Sequence, residues 1–366
     1  MKRLIIHIGS PRTASTSIQK LLYEKVDLLR NESIYFGEYV DGKYAESCSH
    51  SNLLWAIADE IYTLLKIPPL YKISETAEEI AKKMMMNADL SSCETILLSC
   101  ELFFYTIFDT HLKLKGIKVT NKKITKAFQY SINRFKELFE GFEVKIVCYL
   151  RRQDLLIESF FNQFVKESSP DFYKTINGAN KSLLKKPAYD FKDDSKVTGF
   201  NYFLKAIFNY TDYHLILKEW AAAYGKECII LRIFEKNQLD GNIIEDFFKH
   251  ALNISICIND VPIVNSSISR DKFEFLLRLQ MRGFHSRIVG IPEYEKSDKP
   301  YNLYMSLAER NSLIAFHKKG NELIAREFLD RKDGILFYDE VRQEEDTYTG
   351  LSSEAIFHIT RHLLMQ

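Results

Sequence analysis

The residues with most chemical content lie near the start of the chain. An apolar run, Leu4-Ile5-Ile6-His7-Ile8, leads into Gly9-Ser10-Pro11-Arg12-Thr13-Ala14-Ser15-Thr16-Ser17 and then into a helical pattern. A small-residue, hydroxyl-rich turn between a strand and a helix suits an anion. The N–H groups of the turn and the positive end of the helix dipole converge on one point, and the hydroxyls add donors. Against the nucleotide loop G-x4-G-K-[ST], the segment matches in outline only. Ala14 stands at the second glycine, Ser15 at the lysine, and the positive charge lies earlier, at Arg12. A kinase or ATPase needs that charge at the end of the loop, so ordinary nucleotide hydrolysis is disfavoured.

A second cationic position follows another strand pattern. Val144-Lys145-Ile146-Val147-Cys148-Tyr149-Leu150 is rich in aliphatic and β-branched residues and ends at Arg151, with Ser159 eight residues on in a helical pattern. A guanidinium at the C-terminal end of a strand offers phosphate a planar fork, and a hydroxyl two turns into the next helix closes the other side. Arg152 reads as a solvated or structural neighbour.

Together these segments resemble the sulfotransferases that use 3′-phosphoadenosine 5′-phosphosulfate (PAPS). Their phosphosulfate loop after the first strand reads roughly P-K-[ST]-[GA]-[ST]-T, which Pro11-Arg12-Thr13-Ala14-Ser15-Thr16 matches with arginine for lysine. The Ala-Ser-Thr-Ser form is most similar to heparan uronosyl 2-O-sulfotransferases, and the flanking His7-Ile8-Gly9 and Ser17-Ile18-Gln19 to bacterial carbohydrate sulfotransferases. Their 3′-phosphate site is a strand-terminal arginine with a serine eight residues later, the spacing of Arg151 and Ser159. Weaker collinear likenesses run through His50-Ser51-Asn52-Leu53, Ser99-Cys100-Glu101, Trp220 with Gly225, Ile229 to Glu235, and Asn265-Ser266-Ser267-Ile268-Ser269.

The resemblance implies a P-loop-like α/β fold and in-line sulfuryl transfer to a hydroxyl of a carbohydrate or glycolipid. Such transfer relies on positioning and charge stabilisation more than on covalent help. It implies a phosphosulfate cradle of Arg12, Thr13, Ala14, Ser15, Thr16 and Ser17, and a 3′-phosphate site of Arg151 and Ser159. Arg12 would stabilise charge on the departing 5′-phosphate. The plainer alternatives are an ordinary N-capped helix, since Ser and Thr favour that position, and an Arg12 that only binds phosphate. A third is a PAPS-binding chain without transfer. A general base for the acceptor is sought among Glu101, His111 and His50. Glu101 comes first, because a carboxylate at the C-terminal end of a parallel strand faces the ligand crevice. His7 reads as a strand residue packed near the loop.

Composition sets the frame. With 46% hydrophobic and 27% charged residues the chain is of ordinary globular type. A net charge of +1 gives no overall field for nucleic acid or a membrane surface, so an anion site must be local. The six cysteines are scattered, several in strand-like runs, and read as reduced buried thiols. No His/Cys/Asp spacing suggests a metal site. The leading apolar run is shorter than the ~7–15 residues of a signal core. No stretch approaches the ~18 of a membrane span. The expectation is a cytoplasmic protein.

Alternating strand and helix patterns predict a parallel sheet covered on both faces. Helices are expected over Ser15–Arg30 and Asn52–Leu65, from Thr76 with a Thr76/Glu79 capping box, and over Lys123–Glu140. Further helices are expected from Gln153, within Tyr202–Tyr224, over Ile243–Ala251, and from Ser269 to about Gly283. Strands are expected at Leu4–Ile8, Thr95–Ser99, Val144–Leu150 and Glu227–Phe234. The whole chain, 1–366, reads as one domain, with polar insertions near 168–200 and 284–302 as candidate acceptor-shaping loops.

Overall fold

The computed structural model describes residues 2–37, 49–66, 74–105, 121–167, 211–258, 270–281 and 305–343. Five parallel strands form one sheet: β1 (Arg3–Gly9), β2 (Ile34–Tyr35), β3 (Thr95–Ser99), β4 (Glu143–Leu150) and β5 (Ile229–Ile233), in the order β2-β3-β1-β4-β5. β1 is central. Its Ile5 lies opposite Leu97 of β3 and Lys145 of β4. The register to β4 shifts between His7 and Gly9, where the chain leaves the sheet for the loop. From β1 the chain runs to one edge of the sheet, returns to β3, and only then builds the other side. The C-terminal ends of β3, β1 and β4 thus surround the point where the winding reverses, the usual ligand crevice of such sheets.

Continuous apolar strands follow from burial on both faces. Along β1, Leu4, Ile6 and Ile8 join one core, while Ile5 joins the other. The larger core is closed by α3 (Ser51–Leu65), α4 (Ala77–Leu90), α5 (Asn121–Leu138), α6 (Gln153–Glu167), α7 (Tyr213–Tyr224), α9 (Arg270–Met281) and α10 (Leu307–Leu329). The smaller is closed by α1 (Ser15–Glu24), α2 (Val26–Asn31) and α8 (Ile243–Phe247). The result is the expected three-layer α/β fold. No helix among the described residues is long and apolar enough to cross a membrane.

The capping box forms: the Thr76 hydroxyl accepts the Glu79 N–H at 3.2 Å, and the Glu79 carboxylate accepts the Thr76 N–H at 2.8 Å. Two expected helices are divided. The pattern over Ser15–Arg30 breaks at Lys25 (φ −108°, ψ 22°), whose N–H reaches back to Leu21 and Tyr23; this reorients α2. Ile243–Ala251 is α-helical only to Phe247; one π-helical turn, Phe248–Leu252, then ends at Asn253 in a left-handed conformation. Of the cysteines, Cys93, Cys100 and Cys148 are buried and unpaired as expected, but Cys257 is exposed.

Candidate functional site

The loop after β1 is built from restricted backbone. Gly9 has φ +101°, and a Cβ there would stand 3.1 Å from the Cα of Glu101, so both conformation and space favour glycine. Ser10 extends the sheet by donating its N–H to the Tyr149 carbonyl at 2.8 Å, and the Thr13 hydroxyl donates to the Ser10 carbonyl at 2.5 Å. Arg12 (φ 66°) and Ala14 (φ 61°) are left-handed, a conformation costing a non-glycine residue about 1 kcal/mol or more. Left-handed residues at alternate positions of a loop are a backbone pattern of anion nests.

The helix then starts without a side-chain cap. Ala14, which has no side-chain oxygen, holds the cap position of α1. The hydroxyl-rich turn therefore does not form the ordinary serine or threonine cap, and the first turn keeps its electropositive end. The Ser10 hydroxyl is fully buried beneath it without a partner.

Two chain-distant residues, Ser159 and Arg151, meet this loop at Arg12. The Arg12 Nε donates to the Ser159 hydroxyl at 2.9 Å. The Arg151 Nη1 donates to the Arg12 carbonyl at 3.0 Å. The Arg151 carbonyl in turn accepts the Tyr213 hydroxyl at 2.6 Å, and the Phe234 ring lies 5.7 Å from its guanidinium. Among the described residues, no carboxylate lies within ion-pair distance of Arg151. Burial, and then the positive charge of Arg12, lower its pKa to about 10. It stays charged at neutral pH, in a place where an anion would relieve the repulsion. Arg152 behaves oppositely: it is buried, paired in a fork with Asp154 (2.7 and 3.1 Å), and bonded to the carbonyls of Asp339 and Glu340. It ties the C-terminal segment to the sheet.

Glu101 is half-buried and opens a short 3-10 turn (Glu101–Phe103) just past β3, against Gly9. The Gln19 amide of α1 donates to Glu101 Oε2 at 3.0 Å and to the Ser99 hydroxyl at 3.3 Å. The Ser99 hydroxyl also meets His7 Nδ1 at 2.8 Å. His7 is fully buried, and burial lowers its pKa to about 3. His50, also buried, has its Nδ1 3.1 Å from the Ser99 N–H and 3.4 Å from the Ser99 carbonyl, and burial lowers its pKa to about 4.

His111, Asn265 and Ser267 lie outside the described residues. Sequence reasoning gave no role to Gln19, Tyr213 or Phe234. Gln19 could have been found only from its place one helical turn after Ser15. The fold also gathers Asp240, Asp246 and His250, which sequence spacing did not suggest as a ligand set. There Arg232 and Lys249 neutralise the carboxylates, and Tyr149 donates to Asp246 at 2.6 Å.

No family model matches the chain. A protein of Archaeoglobus fulgidus, described only as uncharacterized, is 28% identical over 229 residues, 57% of this chain. The match takes in 52% of that relative, so the chain spans about half its length.

Proposed function

We propose that this chain transfers the sulfuryl group of PAPS to a hydroxyl of a carbohydrate or glycolipid. One observation carries the reading: Arg12, Arg151 and Ser159 converge beside a helix start that no side chain caps. A cation pair next to the uncapped start of a helix suits a ligand with two separate anionic groups. In this reading the N–H groups of Thr13 to Ser17 cradle the 5′-phosphosulfate, and Arg151 with Ser159 takes the 3′-phosphate. Arg12, with its fixed charge, meets negative charge growing on the oxygen between phosphorus and sulfur. Glu101 takes the acceptor's proton as the new oxygen–sulfur bond forms. The old sulfur–oxygen bond breaks, and its electron pair leaves on 3′,5′-adenosine bisphosphate. Glu101, half-buried just past the C-terminal end of β3, suits the role of base better than the buried His50.

The test is incubation of sulfur-labelled PAPS with a panel of polysaccharides and glycolipids, following label into the acceptor. Transfer without magnesium, lost in Glu101→Gln and Arg12→Ala, is the expected result. Untouched PAPS beside magnesium-dependent ATP turnover would overturn the reading in favour of a kinase. Transfer gained only in Arg12→Lys would mark the native chain as a binding protein.

A further inference from the structure

We infer that Gln19 is the positioning residue of the base: its single buried amide nitrogen fixes the Glu101 carboxylate in place. The inference rests on the transfer reading above. Gln19 is 2% exposed, so its amide is held by the protein rather than by water. One N–H points to Glu101 Oε2 at 3.0 Å and the other to the Ser99 hydroxyl at 3.3 Å. Ser99 is itself pinned, its hydroxyl to His7 and its N–H to His50. The amide therefore has no freedom to leave the carboxylate without losing a second bond.

Its place on α1 gives the contact further meaning. Gln19 stands one turn after Ser15, on the helix whose uncapped start would cradle the phosphosulfate. It thus ties the cradle and the carboxylate into one rigid unit, with Glu101 already confined on its other side by the close approach to Gly9. A hydrogen bond to a charged group holds geometry more tightly than a neutral one.

The experiment is hydrolysis of PAPS with water as the acceptor, giving 3′,5′-adenosine bisphosphate and sulfate. It compares the native chain with Gln19→Leu and the isosteric Gln19→Glu. In Gln19→Leu, kcat falls about tenfold as the carboxylate loses the donor that aims it. Affinity for the bisphosphate stays within about twofold, since the cradle is untouched. Gln19→Glu, which sets a like charge beside Glu101 and pushes the carboxylate off its aim, lowers kcat likewise and carries the test should the leucine variant fail to fold. Native turnover with kcat unchanged in the folded variants, or with kcat and bisphosphate affinity falling together, overturns the inference and leaves the transfer reading standing. No native turnover of PAPS overturns both.

Discussion

Acidification tests the packing beneath the loop. His7 and His50 both hold Ser99, and both are buried neutral, with pKa values lowered by burial to about 3 and about 4 from the ordinary 6.5. The buried His317 of α10 is likewise lowered to about 4. The unfolded chain therefore takes up protons before the folded one does. Stability is full above the ordinary histidine value and is lost as pH falls through it toward the folded values. At about 1.4 kcal/mol per pKa unit, each ring costs the fold roughly 2 kcal/mol at about pH 5. The three together cost roughly 6 kcal/mol, comparable with the ~5–15 kcal/mol that holds a typical domain. Urea unfolding at about pH 7.5 and about pH 5 reads this directly. Carboxylates titrate lower and contribute little in that window. In His50→Asn, whose amide oxygen can accept the Ser99 N–H, about 2 kcal/mol of the acid loss disappears. A change below about 1 kcal/mol between the two pH values would refute the assignment of these rings as buried and neutral.

Further perturbations probe the loop and its surroundings. Ala14→Gly relieves the left-handed conformation at φ 61° and raises stability by up to about 1 kcal/mol in the same unfolding assay; a clear loss would show that the Ala14 methyl packs more than it strains. Asp246→Asn removes the carboxylate that holds Arg232, the Tyr149 hydroxyl and the Asp240 N–H. Breaking such a buried pair costs about 3–5 kcal/mol, and a loss under about 1 kcal/mol would contradict the network.

Much of the scaffold was legible before the structure. β1, β3 and β4 are buried on both faces, so their apolar runs stand out, and the Thr76/Glu79 box marks its helix start by local bonding alone. Lys25 and the π turn at Phe248 were not legible, because tertiary packing decides both breaks and the helical pattern runs on through them. Arg12, Arg151 and Ser159 were legible as types at particular ends of strands and helices; their mutual contact arises from β1 and β4 being neighbours. Gln19 was not, since its partners lie 80 and 82 residues away on β3 and its following turn. Nor does spacing reveal burial, so His50 could not be separated from Glu101 as a base before the fold showed its ring enclosed against the Ser99 backbone.

The central claim is that Arg151, held against the Arg12 carbonyl, reads a phosphate separate from the one the loop holds. Calorimetric titration with 3′,5′-adenosine bisphosphate, 5′-AMP and ATP tests it most directly. Charge-assisted bonds to the 3′-phosphate, at about 1.5–3 kcal/mol each, predict that the bisphosphate binds about a hundredfold more tightly than AMP. In Arg151→Ala that preference collapses while AMP affinity holds. Equal binding of ATP and the bisphosphate, with no loss in Arg151→Ala, would contradict the account.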